Sequence, residues 1–228
     1  MKALLFDVFG TVVDWRTSVA REVRSMCGPD VDSVAFADRW RSLYQPAMEE
    51  VRSGRRPFTR LDVLHLESLR LVLSEFGVRL HDNDVDVLNR SWHRLDPWPD
   101  SIPGLTRLRT EFIIAPLSNG NVSLLLDMAK NAGLPWDAIL GAEPVQAYKP
   151  MPEAYLRTAD LLDLEPSECM MVAAHNSDLA AAAGCGFATA FVARPLEHGP
   201  SQTTDLTAEA EWTHSVDSID SLATRLGC

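Results

Sequence analysis

An acidic residue at the end of an apolar run constrains this chain more than any other feature. In LLFDVFGT (Leu4–Thr11) a strand-like stretch stops on Asp7, and Gly10 with Thr11 makes a turn. No second strand follows directly. From about Trp15 to Asp96 the pattern is helical: VAFADRWRSLYQPAMEEV and TRLDVLHLESLRLVLSEFG place apolar residues three and four apart. Leu61, Leu64, Leu69 and Val72 form one such stripe, and Gly77 stands where a helix C-cap glycine belongs. HDNDVDVLNRSWHRL begins a further helix behind Asp82 or Asn83. DPWPDSIPG, with three prolines, reads as a stiff connector that closes the block.

Beyond it strands and helices alternate. FIIAPLSNG is a buried strand and turn, and NVSLLLDMAKNAG a helix closed by Gly133. AILGAE reads as a short strand, and MPEAYLRTADLL as a helix with Pro152 near its start. CMMVAAHNSD is a strand and turn, LAAAAGCG a short helix, and ATAFVAR a last strand. This alternation implies a parallel sheet covered by helices, which the first strand joins. The predicted fold class is α/β: a Rossmann-like parallel sheet core, residues 1–14 and 99–228, with a helical cap domain, residues 15–98, inserted after the first strand. In such sheets ligands bind beyond the carboxyl ends of the strands. That rule selects Asp7, then Ser118 and Asn119 in LSNG, Lys149 in YKP, and His175, Asn176 and Asp178 in AAHNSD.

The formal charge is −11, from 21 basic and 32 acidic residues, so an anionic nucleic acid or lipid surface is not an expected partner. A small anionic substrate must then be held by a few specific cations. The apolar runs are too short to span a bilayer, and Asp7 interrupts what would be a secretory h-region. Cys27, Cys169, Cys185 and Cys228 form no C-x-x-C pair, which fits a reduced, cytoplasmic protein.

The set Asp7 in D-x-x-x-T, Ser118, Lys149 and the segment ending in Asp178, in that order, resembles the haloacid dehalogenase superfamily. Phe9 points to its type II 2-haloacid dehalogenases. Superfamily phosphatases place a second Asp two residues after the nucleophile, to protonate a leaving alkoxide. Phe9 donates no proton, and a halide leaves without one. The resemblance implies that Asp7 is the nucleophile and forms an aspartyl ester, with Thr11 orienting its carboxylate and Lys149 keeping it ionised. It implies that Arg41, in RWRSLY, receives the halide or pairs with the substrate. Tyr155, in KPMPEAY, bonds near the substrate carboxylate or a water. Dimerisation is also implied. With Asp178 the only acid in HNSD, and Lys149 supplying positive charge, neither a metal nor any other cofactor is expected.

Each residue has a plainer reading. Asp7 and Thr11 suit a capped turn, and a Lys before Pro is ordinarily on the surface. Ser118 and Asn119 either bind the substrate carboxylate or cap the next helix. Arg41 alone would be a solvated helix residue, and Tyr155 plain packing. The fourth motif departs from the family pattern, with Ala173, Ala174 and His175 where two serines and an asparagine are usual. His175 then activates the hydrolytic water, orients Asp178, or tightens the pocket. Trp98, at the return from cap to core, with Trp40 and Trp92 on the cap helices, either dries the pocket or packs the two parts together. The expected activity is hydrolytic dehalogenation of short 2-haloalkanoic acids, haloacetate or 2-halopropionate. Its rivals are a phosphatase or phosphonatase of the same superfamily and a non-catalytic binding relative.

Overall fold

The computed structural model describes all residues from Met1 to Cys228. Five parallel strands form the central sheet: β1 (Ala3–Phe6), β4 (Ile113–Pro116), β5 (Cys169–Ala173), β6 (Ala188–Val192) and β7 (His214–Val216), in the order β4-β1-β5-β6-β7. Side chains alternate across its two faces. Leu4, Phe6, Ile114, Met170 and Val172 enter one apolar cluster, and Ala3, Leu5, Ala115, Cys169, Met171 and Ala173 the other. Burial on both faces is why these strands read as continuous apolar runs.

Helices α9 (Pro152–Leu161) and α10 (Asn176–Gly184) cover the second face, through Ala154, Tyr155, Leu179 and Ala182. On the first face lie α6 (Ser101–Leu108), α7 (Val122–Ala132) and α11 (Ile219–Leu226). A one-turn helix, α8 (Ala142–Val145), precedes α9. Between β1 and β4 the chain builds α1 (Trp15–Cys27), α2 (Ser33–Ser42), α3 (Tyr44–Arg52), α4 (Leu61–Glu75), α5 (Asp82–Asn89) and a 3₁₀ turn, Arg90–His93. This helical block leaves and returns through two short strands, β2 (Val13–Asp14) and β3 (Asp96–Pro97), paired antiparallel. Its apolar stripes continue into the first-face cluster, where Trp15, Trp40, Leu64 and Trp92 join Leu4 and Phe6.

Four local readings of the sequence need correction. AILGAE is not a strand. Asp137 makes one backbone bond to β4, N–H to the Ile114 carbonyl at 2.9 Å, and its carboxylate then takes the Ile114 N–H at 3.0 Å, which ends the ladder. The apolar stripe over residues 34–51 is two helices, because Pro46 has no N–H to give the Ser42 carbonyl. SIPG belongs to α6 rather than to a connector. Pro103 lies in the first turn, where no N–H partner is needed, and Gly104 lets the backbone of Ile219 approach. Finally, β7 and α11 follow the strand that reads as the last.

The register carries the functional consequence. Phe6 aligns with Pro116 on one side and Val172 on the other. Asp7, Leu117–Asn119 and Ala173–His175 therefore emerge side by side at one edge of the sheet, beneath α2 and α3.

Candidate active site

Asp7 continues β1 by one residue, its N–H held by the Val172 carbonyl at 2.9 Å. The chain then reverses at Gly10, whose φ of +92° suits glycine. This turn brings Thr11 back, so that its hydroxyl donates to Asp7 Oδ2 at 2.8 Å. The same hydroxyl accepts the Ala174 N–H at 2.9 Å, tying the turn to β5. Arg194 locks the turn from outside, giving Nε–H to the Thr11 carbonyl at 2.9 Å and pairing with Asp100.

Lys149 reaches the site from the loop before α9, its N–H fixed by Asn119 Oδ1 at 2.8 Å. Its ammonium donates to Asp7 Oδ1 at 2.8 Å and also to Asp178 Oδ2. The other Asp178 oxygen accepts the Tyr155 hydroxyl at 2.6 Å. Asp7, Lys149 and Asp178 are 6%, 7% and 8% exposed, so little water screens them. Burial alone would raise the Asp7 carboxyl. The charges and hydrogen bonds of Lys149 and His175 outweigh it and hold Asp7 well below the usual carboxylate range. Burial and the Asp7 charge push Asp178 up, against the pull of Lys149. The ammonium itself is raised, because Asp178 and Asp7 more than offset its burial. A divalent cation bridging the two carboxylates would have to displace this ammonium, so the donor set does not suit one.

His175 lies across Asp7, with Nδ1 3.2 Å from Oδ2 and Nε2 2.9 Å from Glu197 Oε2. Burial lowers the imidazole, but Glu197 and Asp7 raise it well above its ordinary value, so it rests as an imidazolium. Glu197 is 2% exposed, and its second oxygen accepts Trp15 Nε1–H at 2.9 Å. Gly10 faces this carboxylate so closely that a Cβ there would collide with it.

Opposite Asp7, Arg41 lies in an aromatic cage. Its guanidinium carbon is 4.0 Å from the Tyr44 ring centre, 5.3 Å from Trp15 and 5.8 Å from Phe9. Nη1 is buried with no hydrogen-bond partner. Neighbouring His65 is no counter-ion, since burial and the Arg41 charge push it down to about 3. Phe9 is 2% exposed and meets Tyr44 and Trp92 edge-on. Together these groups line a cavity of about 720 Å³. Around the nucleophile the carboxylates of Asp7, Asp178 and Glu197 face Lys149, His175 and Arg41, while Asp38, Asp205 and Arg52 also line the cavity.

A haloacid dehalogenase-like hydrolase model matches residues 1–186, which is most of the chain. The chain belongs to the haloacid dehalogenase-like hydrolase family. Among curated members it is 28% identical over 199 residues to an (S)-2-haloacid dehalogenase of a Pseudomonas species (strain CBS-3), covering 85% of each chain. It is 26% identical over 196 residues to the (S)-2-haloacid dehalogenase of Xanthobacter autotrophicus, covering 85% of this chain and 76% of that one. Among solved structures it is similar to a defluorinating L-2-haloacid dehalogenase, at 54% identity and TM-score 0.97, over 100% of this chain and 96% of that chain.

In this haloacid dehalogenase-like hydrolase the residues selected from the sequence divide into three groups. Asp7, Phe9, Arg41, Asn119, Lys149, Tyr155, His175 and Asp178 line the cavity. Thr11 and Ser118 stand just behind its wall. Ser118 does not cap α7, since that position is Asn121, and its hydroxyl accepts the Gly120 N–H at 3.3 Å. Asn176 and Trp98 are not brought to the cavity. The Asn176 side chain is turned to Asp205, Thr207, Glu209 and Trp212, where it pins the loop before β7. Trp98 donates Nε1–H to the Gly10 carbonyl at 2.8 Å and packs under Arg194, bracing the turn between the helical block and the sheet. Glu197, Trp15 and Tyr44 escaped the sequence reading. Trp15 and Tyr44 resemble any amphipathic helix residue, and Glu197 lies in RPLEHGP, a loop with no spacing to any motif.

Proposed function

We propose that this protein hydrolyses the carbon–halogen bond of short 2-haloalkanoic acids, haloacetate and 2-halopropionate, releasing the 2-hydroxy acid through an ester on Asp7. The observation that carries this reading is an ionised Asp7, 2.8 Å from the Lys149 ammonium, with Phe9 where a proton donor would serve an alkoxide leaving group. Displacement at carbon needs a desolvated anion aimed at the substrate. Oδ1 accepts one hydrogen bond, from Lys149, whereas Oδ2 accepts Thr11 and faces His175. Oδ1 is therefore the attacking atom. Arg41, caged by aromatic rings and holding a free N–H, takes the departing halide, because a weakly hydrated guanidinium suits a weakly hydrated anion. The backbone around Ser118 and Asn119 receives the substrate carboxylate.

The named relatives act on (S)- or L-2-haloacids, and the same enantiomer is the expected substrate here, with inversion at the carbon. The four cysteines are unpaired, which supports a reducing, cytoplasmic setting, and no helix is long and apolar enough to cross a membrane. A homodimer is part of the same proposal and is measurable by sedimentation. The test of activity is halide release from chloroacetate, fluoroacetate and both 2-chloropropionate enantiomers, with and without EDTA. Halide release that persists in EDTA supports the reading. Turnover confined to phosphate esters with added Mg²⁺ would replace it.

A further inference from the structure

We infer that Glu197 and His175 form an acid–base pair for the second half of the reaction, hydrolysis of the Asp7 ester, with His175 as the catalytic residue and Glu197 its positioning residue. This inference rests on the dehalogenase reading and deepens it. Four observations support it. His175 Nδ1 faces Asp7 Oδ2 at 3.2 Å, and Nε2 is bound to Glu197 Oε2 at 2.9 Å. Glu197 is itself fixed by Trp15 Nε1–H and approaches through the space that Gly10 leaves. Both oxygens of Asp178 already accept a hydrogen bond, from Lys149 and from Tyr155, which weakens the other carboxylate near the nucleophile as a base for water. The groups around the pair are Lys149 and Asp178 beyond Asp7, with Arg41 and His198 beside Glu197; His198 Nε2 is 3.6 Å from Glu197 Oε1.

The change of charge on Asp7 sets the sequence of events. In the resting site His175 is an imidazolium between two carboxylates. When Oδ1 displaces the halide, the carbon–halogen electron pair leaves with the halide and Asp7 becomes a neutral ester. The Nδ1 proton loses its ionic partner and passes to solvent, while Nε2–H stays on Glu197. Nδ1 then has a free lone pair beside the ester carbonyl. It takes a proton from water as the water oxygen adds to Asp7 Cγ. The Cγ–Oδ1 bond breaks, its electrons go to Oδ1, and that atom takes the proton from Nδ1 as the hydroxyl of the 2-hydroxy acid. The second water proton, left on the new Asp7 carboxyl, moves to Nδ1 and restores the ion pair. The net reaction consumes one water and releases halide and one proton.

The tautomer makes this testable. In Glu197→Gln the amide oxygen stays on Trp15 Nε1–H, and the amide N–H faces His175 Nε2. The imidazole proton is then forced onto Nδ1, where it still donates to Asp7 but accepts nothing. With (S)-2-chloropropionate in rapid-quench experiments, the variant should release one halide per chain at about the wild-type rate. It should then stall as alkylated protein visible by intact mass, with steady turnover down by ~100-fold or more. The burst itself reports a folded, competent site. A variant that turns over within about threefold of wild type overturns the inference. So does one that loses the burst while the wild type keeps it, since the pair would then serve displacement. Wild-type protein that releases no halide from any haloacid removes the dehalogenase reading first, and this one with it.

Discussion

Removing the Lys149 ammonium tests the electrostatic core of the site. In Lys149→Met the chain keeps a buried stem of similar length but leaves no cation between Asp7 and Asp178, with His175 remaining on the Oδ2 side of Asp7. At 2.8 Å and an effective dielectric of about 20, the lost Asp7–Lys149 attraction is about 6 kcal/mol before rearrangement. If about half survives relaxation and water entry, the Asp7 carboxyl rises by roughly two pK units. Repulsion from Asp178 adds to that rise. The wild-type nucleophile is held far below its ordinary range, so its ionisation imposes no acid limb on the rate near neutrality. In the variant an acid limb should enter the measurable range, the first-turnover rate climbing with pH until Asp7 is again ionised. At neutral pH, where the carboxylate is again ionised, halide release should still be lower by about 10³-fold or more, because no ammonium holds Asp7 Oδ1 in line. Breaking a buried pair also costs roughly 3–5 kcal/mol of stability, so the profile is read well below the variant's melting temperature. A folded Lys149→Met with an unshifted pH profile and more than about a tenth of wild-type activity would refute the reasoning.

Three further outcomes follow from other parts of the structure. Arg41→Lys keeps the charge but loses the flat group stacked in the cage of Tyr44, Trp15 and Phe9; halide release should slow by about 10–100-fold, read as kcat rather than KM. His93 joins the helical block to α7, with Nε2 3.0 Å from Asp62 and Nδ1 2.8 Å from Asp127. Burial lowers its pKa, but the two carboxylates raise it above the ordinary 6.5, so its stabilisation is full below that value and is lost as pH rises past the raised one. Wild type should therefore lose more thermal stability than His93→Gln between mildly acidic and alkaline buffer. Gly104→Ala places a methyl against the backbone of Ile219, where nothing can yield cheaply, and should lower stability by about 1–3 kcal/mol in denaturant melts without changing kcat.

The chemistry-bearing strand ends were legible because each combines an apolar run with an abrupt polar stop, and a parallel sheet must gather such stops at one edge. Asp7, Asn119, His175 and Asp178 came from that rule; Lys149 was selected behind AILGAE, which is not a strand, and reaches the same edge from the loop before α9; Arg41 and Tyr155 came from the resemblance. Asn176 illustrates its limit: the rule selects a turn, but the direction of a side chain depends on the loop over it, here residues 205–212. Trp98 failed for a related reason, since an aromatic residue at a hinge can face either side, and hydrogen bonding to Gly10 settled the matter. Glu197 was invisible because its importance arises from Gly10, Trp15 and His175, three residues far from it in sequence. The same holds for AILGAE, where a single carboxylate, Asp137, outcompetes the backbone for a ladder bond, and for SIPG, where Gly104 reports close helix packing instead of a turn.

Asp7 as nucleophile is tested most directly by one turnover in water enriched in heavy oxygen, with enzyme in excess over (S)-2-chloropropionate. The first lactate released should carry an unlabelled hydroxyl, and the peptide carrying Asp7 one heavy oxygen. Label in the lactate and none in Asp7 would mean that water attacks the substrate carbon itself, and the ester would have no place in the reaction.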